Sequence, residues 1–123
     1  MTTKAQLDYC QNCRLLIGQR VTVTVTRPLG SVHPKHSDLR YYVNYGHVKG
    51  FVGGDGDWQD AYVLGVEQPV QSFTGRVIAV VVRRNDVETK LVVAPEGAHF
   101  PKRQIARTVH FQEKYFDHII LTE

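Results

Sequence analysis

Val21-Thr22-Val23-Thr24-Val25-Thr26 alternates apolar and polar β-branched residues, a period of two that predicts a strand with valines inward and threonines outward. Arg27-Pro28 ends it, because proline lacks the N–H that a ladder needs. From Leu29 to Leu39 the rhythm stops, and the Gly-, Pro-, Ser- and His-rich composition predicts a loop whose side chains suit an anion. Extended character resumes from Tyr41 to Val52, interrupted at Gly46 and Gly50, with Tyr41 and Tyr45 on one face. A glycine-rich acidic loop, Gly53 to Asp60, leads into a strand over Ala61 to Val66, and Glu67-Gln68-Pro69-Val70 turns the chain. Gly75 to Arg84 contains Val77-Ile78-Ala79-Val80-Val81-Val82, apolar on both faces and therefore central, and Asn85-Asp86 returns it into Glu88 to Ala94. The period changes at both ends of the chain. Residues 4–16, with Leu7, Cys10 and Leu15, predict a short helix stopping near Gly18, and Pro101 to Phe116 predicts another with Ile105, Val109, Phe111, Tyr115 and Phe116 giving it an apolar side. The sum is a mainly β (α+β) chain: an N-terminal helical extension over 1–18, then a single domain over 19–123 built as a small five- to six-stranded β-barrel with a C-terminal helix.

A length of 123 residues, 42% of them hydrophobic and 22% charged, suits one compact domain with its own core. The longest apolar run, Val77 to Val82, is far too short to cross a bilayer, and Met1 to Gln6 carries no secretory segment, so a cytoplasmic protein without membrane contact is expected. A net charge of +3, spread along the chain without aromatic interleaving, favours a small anionic ligand over nucleic acid. Cys10 and Cys13 have the Cys-x-x-Cys spacing but neither the βαβ context of a redox pair nor two further zinc ligands nearby, which leaves two thiols on a helix. Of six histidines only His33 and His36 are spaced like ligands.

Asp55, Asp57 and Asp60 place three carboxylates within six residues. Anions this close repel, and a hard cation such as Mg²⁺ or Ca²⁺ relieves the repulsion; a solvated turn is the competing reading, and spacing alone leaves both open. An EF-hand is excluded because no glutamate stands twelfth from Asp55. Glu88 and Lys90, taken by spacing, read as a surface ion pair worth less than about 1 kcal/mol.

Three segments together carry more. Tyr41-Tyr42-Val43-Asn44-Tyr45-Gly46, then Asp55-Gly56-Asp57-Trp58-Gln59-Asp60, then Glu88-Thr89-Lys90 running to Pro95, resemble the soluble family I inorganic pyrophosphatases, with their Tyr-x-x-Asn-Tyr-Gly, Asp-Gly-Asp-x-x-Asp and Asp/Glu-x-Lys-x-x-x-x-Pro motifs. The resemblance spans about residues 20–116. It implies a pyrophosphatase-type barrel that hydrolyses inorganic pyrophosphate with Mg²⁺, or Mn²⁺, by metal-activated water. On it, Asp55, Asp57 and Asp60 match metal ligands, Asp57 also matches the base, Tyr45 the tyrosine beside the attacking water and Tyr41 the one that starts the strand. Glu88 matches a further metal ligand, Lys90 a substrate lysine, and Asp86 stands near another metal-binding aspartate. Two departures stand out. Thr26-Arg27-Pro28 replaces a Glu-x-Pro, and the family's long cationic hairpin is shortened to Ser31-Val32-His33-Pro34-Lys35-His36. His33, Lys35 and His36, with Arg27 or Arg40 as a bidentate clamp, are the candidate replacements for phosphate binding. The departures imply reduced activity and keep open two alternatives: a phosphate- or nucleotide-binding module with little or no catalysis, and a hydrolase of another diphosphate. The implied partner is a small phosphate molecule; relatives self-assemble, but nothing in this chain marks a homo-oligomer interface.

Overall fold

The computed structural model describes residues 13–53, 56–84 and 88–122. Strands β1 (Arg20–Arg27), β4 (Asn44–Val52), β5 (Trp58–Val63), β6 (Ser72–Arg83) and β7 (Thr89–Ala94) form one sheet in the order β1-β4-β5-β7-β6. It closes into a barrel because β1 pairs with β4 on one edge and with β6 on the other. All pairings are antiparallel except β5 with β7. β8 (His118–Thr122) adds a strand to β6 outside the closed ring, and the helix α1 (Lys102–Glu113) precedes it.

Strand alternation divides the core in two. Val21, Val23, Val48, Ala61, Val63, Val80, Leu91 and Val93 come from all five barrel strands and fill the interior, with buried Cys13 packed against them. Their neighbours in sequence, Tyr62, Val81 and Val92, turn outward and are covered by Ile105 and Val109 of α1. An irregularity between Val77 and Ala79 resets this alternation within β6. Gly46 makes the crossing of β1 and β4 close: a Cβ there would stand 1.9 Å from the Thr24 carbonyl oxygen.

The barrel with a covering helix agrees with the sequence; several boundaries differ. Residues 29–39 are not an irregular loop but contain the hairpin β2 (Val32–His33) and β3 (His36–Arg40), since Pro34-Lys35 turns the chain tightly enough for Val32 to pair with Arg40. Tyr41 precedes β4 rather than opening it, and β5 begins at Trp58. The C-terminal helix ends at Glu113, so Tyr115 and Phe116 lie beyond it, and His118–Thr122 pairs with β6. The N-terminal helix expected over residues 4–16 falls mostly on residues 1–12, outside the described part, as does Cys10; Leu15 is exposed.

Candidate functional site

The outward face that α1 covers becomes polar toward one end, and the same alternation explains why. In β5 the side chain one step from Tyr62 on that face is Asp60; in β7 the step from Val92 leads to Lys90, with Glu88 just ahead of the strand; in β6 the step from Val81 leads to Arg83. Parallel pairing of Ala61 with Leu91 brings Asp60 beside Lys90, whose Nζ donates to Asp60 Oδ2 at 2.6 Å and to Glu88 Oε2 at 3.0 Å. In β1 a bulge between Val25 and Arg27 sets Arg27 opposite Tyr45, re-aiming its side chain as bulges commonly do. These residues share a cleft of about 490 Å³ with His33, His36, Asp38 and Gln112.

Behind its lining runs one hydrogen-bonded chain that includes the fully buried Tyr41, Tyr62 and Glu113. Arg27 donates to the Tyr41 hydroxyl at 2.6 Å, which donates to Gln112 Oε1 at 2.7 Å. Gln112 Nε2 donates to the Tyr62 hydroxyl at 2.7 Å, and that hydroxyl donates to Glu113 Oε2 at 2.6 Å. Arg83 grips Glu113 through Nε at 3.0 Å and a terminal nitrogen at 2.9 Å, and its other nitrogen reaches Glu88 at 2.7 Å. The Glu88–Lys90–Asp60 contacts complete the chain. Each hydroxyl donates once and accepts once, so the buried polar groups satisfy one another.

The charges are held accordingly. Burial alone would raise the Glu113 carboxyl, but hydrogen bonds from Arg83 and Tyr62 outweigh it and hold the group below its ordinary range. Burial penalises the Lys90 ammonium, yet Tyr45 and Asp60 beside it outweigh that penalty and raise its pKa. Burial pushes the Tyr45 phenol up, so it remains protonated. Burial, with the cations Arg27 and Lys35 and neighbouring His36, lowers His33, which is neutral at pH 7. Arg27 has no carboxylate partner among the described residues; its guanidinium lies 5.6 and 5.7 Å from the Tyr41 and Tyr45 ring centres, and part of its donor fork faces the cleft.

Of the residues picked out by sequence, the structure gathers Arg27, His33, His36, Tyr45, Asp60, Glu88 and Lys90 around the cleft. Tyr41 is wholly buried and acts from behind Arg27. Arg40 bonds to the Gly30 carbonyl away from the cleft, Lys35 points to solvent, and Asp57 is exposed ahead of β5 and does not line it. Asp55 and Asp86 lie outside the described residues. Sequence reasoning passed over Arg83, Gln112 and Glu113. The last two carried a signal: at helical spacing they continue the stripe of Ile105 and Val109, where a buried charge requires a partner.

No family model and no curated protein sequence matches the chain. Solved structures do. An inorganic pyrophosphatase from Ehrlichia chaffeensis superposes with a TM-score of 0.65 at 20% identity, over 86% of this chain and 87% of that one. Those from Neisseria gonorrhoeae (0.62, 21%, covering 84% and 80%) and Coxiella burnetii (0.59, 17%, covering 87% and 85%) match similarly. The fold is therefore that of the bacterial inorganic pyrophosphatases.

Proposed function

We propose that the cleft binds the diphosphate group of a small phosphate anion and hydrolyses its P–O–P linkage, inorganic pyrophosphate being the simplest such substrate. The observation that carries this reading is the convergence of Arg27, Lys90, His33 and His36 with the carboxylates Asp60 and Glu88 in one cleft. The solved structures of the same fold, inorganic pyrophosphatases, support it.

Water must add to one phosphorus as the bridging oxygen leaves, and catalysis of this step is largely positioning and charge neutralisation. The open part of the Arg27 fork matches phosphate oxygens bidentately, and the protonated Tyr45 offers a neutral donor. Against the cations Arg27, Arg83 and Lys90 stand four carboxylates, Asp38, Asp60, Glu88 and Glu113, a formal excess of one negative charge among these seven side chains. A diphosphate therefore needs a cation with it. Mg²⁺ is commonly held by one or two carboxylates plus substrate phosphates, and Asp60 and Glu88 suit that role; among the described residues no three His, Cys, Asp or Glu side chains gather as a cage. When bound there, Mg²⁺ or Mn²⁺ neutralises phosphate charge and lowers the pKa of water. Lys90, bonded to both carboxylates, keeps them oriented toward the cleft.

One observation favours binding without turnover: Asp60 and Glu88 are already paired with Lys90 and Arg83, which weakens either as a base. A phosphate-release assay with pyrophosphate and Mg²⁺ or Mn²⁺ separates the two. Release that disappears in Asp60→Asn supports hydrolysis, binding without release makes this a diphosphate-binding module, and absence of both overturns the site.

A further inference from the structure

The cleft is lined in part by side chains that phosphate cannot use. Leu39, Tyr115 and Phe116 line it together with the cations. The Phe116 ring is covered by the Arg83 guanidinium at 3.6 Å, but Tyr115 remains 60% exposed even with Lys114 Nζ 5.2 Å from its ring centre. A single exposed ring needs no explanation; an exposed ring lining the same cleft as Arg27 and Lys90, with two more apolar side chains in that lining, matches a ligand with an apolar part. Tyr115 lies one residue past the Lys114 cap of α1, its backbone N–H 3.5 Å from the Gln112 carbonyl.

Size and charge agree. Pyrophosphate has about nine non-hydrogen atoms; allowing each the roughly 30 Å³ that a water molecule occupies in the liquid gives about 270 Å³, a generous figure. The cleft holds about 490 Å³, within the range of sites for larger organic ligands. Esterifying a diphosphate removes one ionisable oxygen, which suits a cleft whose own charges leave it short of cations.

We propose that the preferred ligand is a diphosphate ester bearing a flat aromatic group, in class a nucleoside diphosphate, with its ring on Tyr115 and its phosphates at Arg27 and Lys90. This rests on the diphosphate reading above and narrows it. Stacking on an aromatic ring contributes about fivefold or more in affinity for one base.

The test is isothermal titration with Mg²⁺, using two non-hydrolysable probes, methylenediphosphonate and the α,β-methylene analogue of ADP. The expected result is that the nucleoside probe binds at least about fivefold tighter, that Tyr115→Ala removes this advantage without changing methylenediphosphonate affinity by more than about twofold, and that Tyr115→Phe retains it. Melting curves establish that the variants fold, which the exposure of Tyr115 favours. Equal affinities in the wild type, or an advantage that survives Tyr115→Ala, overturn the proposal while leaving the diphosphate site standing. If neither probe binds, the diphosphate reading fails and this one with it.

Discussion

Replacing Glu113 by glutamine removes one negative charge and almost no volume, at a side chain with no exposure to solvent. In the wild type that carboxylate accepts two bonds from Arg83 and one from the Tyr62 hydroxyl. A glutamine amide accepts at one end only, so its NH₂ faces the guanidinium as a donor against a donor in either orientation, and the Tyr62 hydroxyl as well in one of them. Removing one partner of a buried ion pair costs about 3–5 kcal/mol, and the lower end applies because Arg83 keeps Glu88 at 2.7 Å. For a domain of this size about 1 kcal/mol corresponds to roughly 4 °C, so Tm should fall by about 12 °C at pH 7. The loss should change little with added salt, since a pair this buried is weakly screened. Glu113→Leu combined with Arg83→Met should recover much of the stability, because apolar replacement of both partners is often neutral or better. Calorimetric melting of the three proteins measures this. A shift below about 4 °C in Glu113→Gln, or a double variant as unstable as the single one, would show that the pair is not the desolvated clamp described.

Three further outcomes follow from the same geometry. Because the folded-state pKa of Glu113 lies below its ordinary 4.5, its ionised form contributes stability that is fully present above that pH and is lost as pH falls through the depressed value; the Tm gap between wild type and Glu113→Gln should narrow on acidification below 4.5. Gly46→Ala should cost more than the ~3 kcal/mol of ordinary overpacking, because the contact is with strand backbone that cannot move aside, and chemical denaturation reads this directly. Arg27→Met should weaken diphosphate binding by about 10-fold or more, as expected for a lost charged hydrogen bond, and should shrink the Tm rise produced by pyrophosphate with Mg²⁺ while leaving the ligand-free Tm within a few degrees.

What the sequence made legible were the features with a local period. The Val-Thr alternation of β1, the two-sided apolar run of β6 and the Ile105–Val109 stripe each state which face is buried, and the structure buries those faces. Asp60, Glu88 and Lys90 were legible by motif, and their gathering depends on the register of β5 against β7. Three things could not be read. β2 and β3 are short and lack an apolar alternation, because their partner is mainly each other. β8 follows the helix too closely to be separated from it by pattern, although His118-Ile119-Ile120-Leu121-Thr122 is a fair strand once β6 offers an edge. Arg83 stands at the end of a run of valines, where a charge looks like a strand terminus; only the fold reveals that Glu113 meets it from 30 residues away.

Helix α1 docks with four buried side chains, of which Gln112 and Glu113 are polar. Its hold on the barrel therefore includes, beside the apolar packing of Ile105 and Val109, the same set of bonds that orients Arg27 and Arg83 in the cleft. If the cleft binds a diphosphate as proposed, opening of the helix end and loss of that site are coupled, and linkage makes the relation reciprocal: affinity that a ligand gains from a fixed Arg27 is returned as slower amide hydrogen exchange in the last turn of α1. The last helical turn is then a gauge of occupancy, readable without any measurement on the ligand itself.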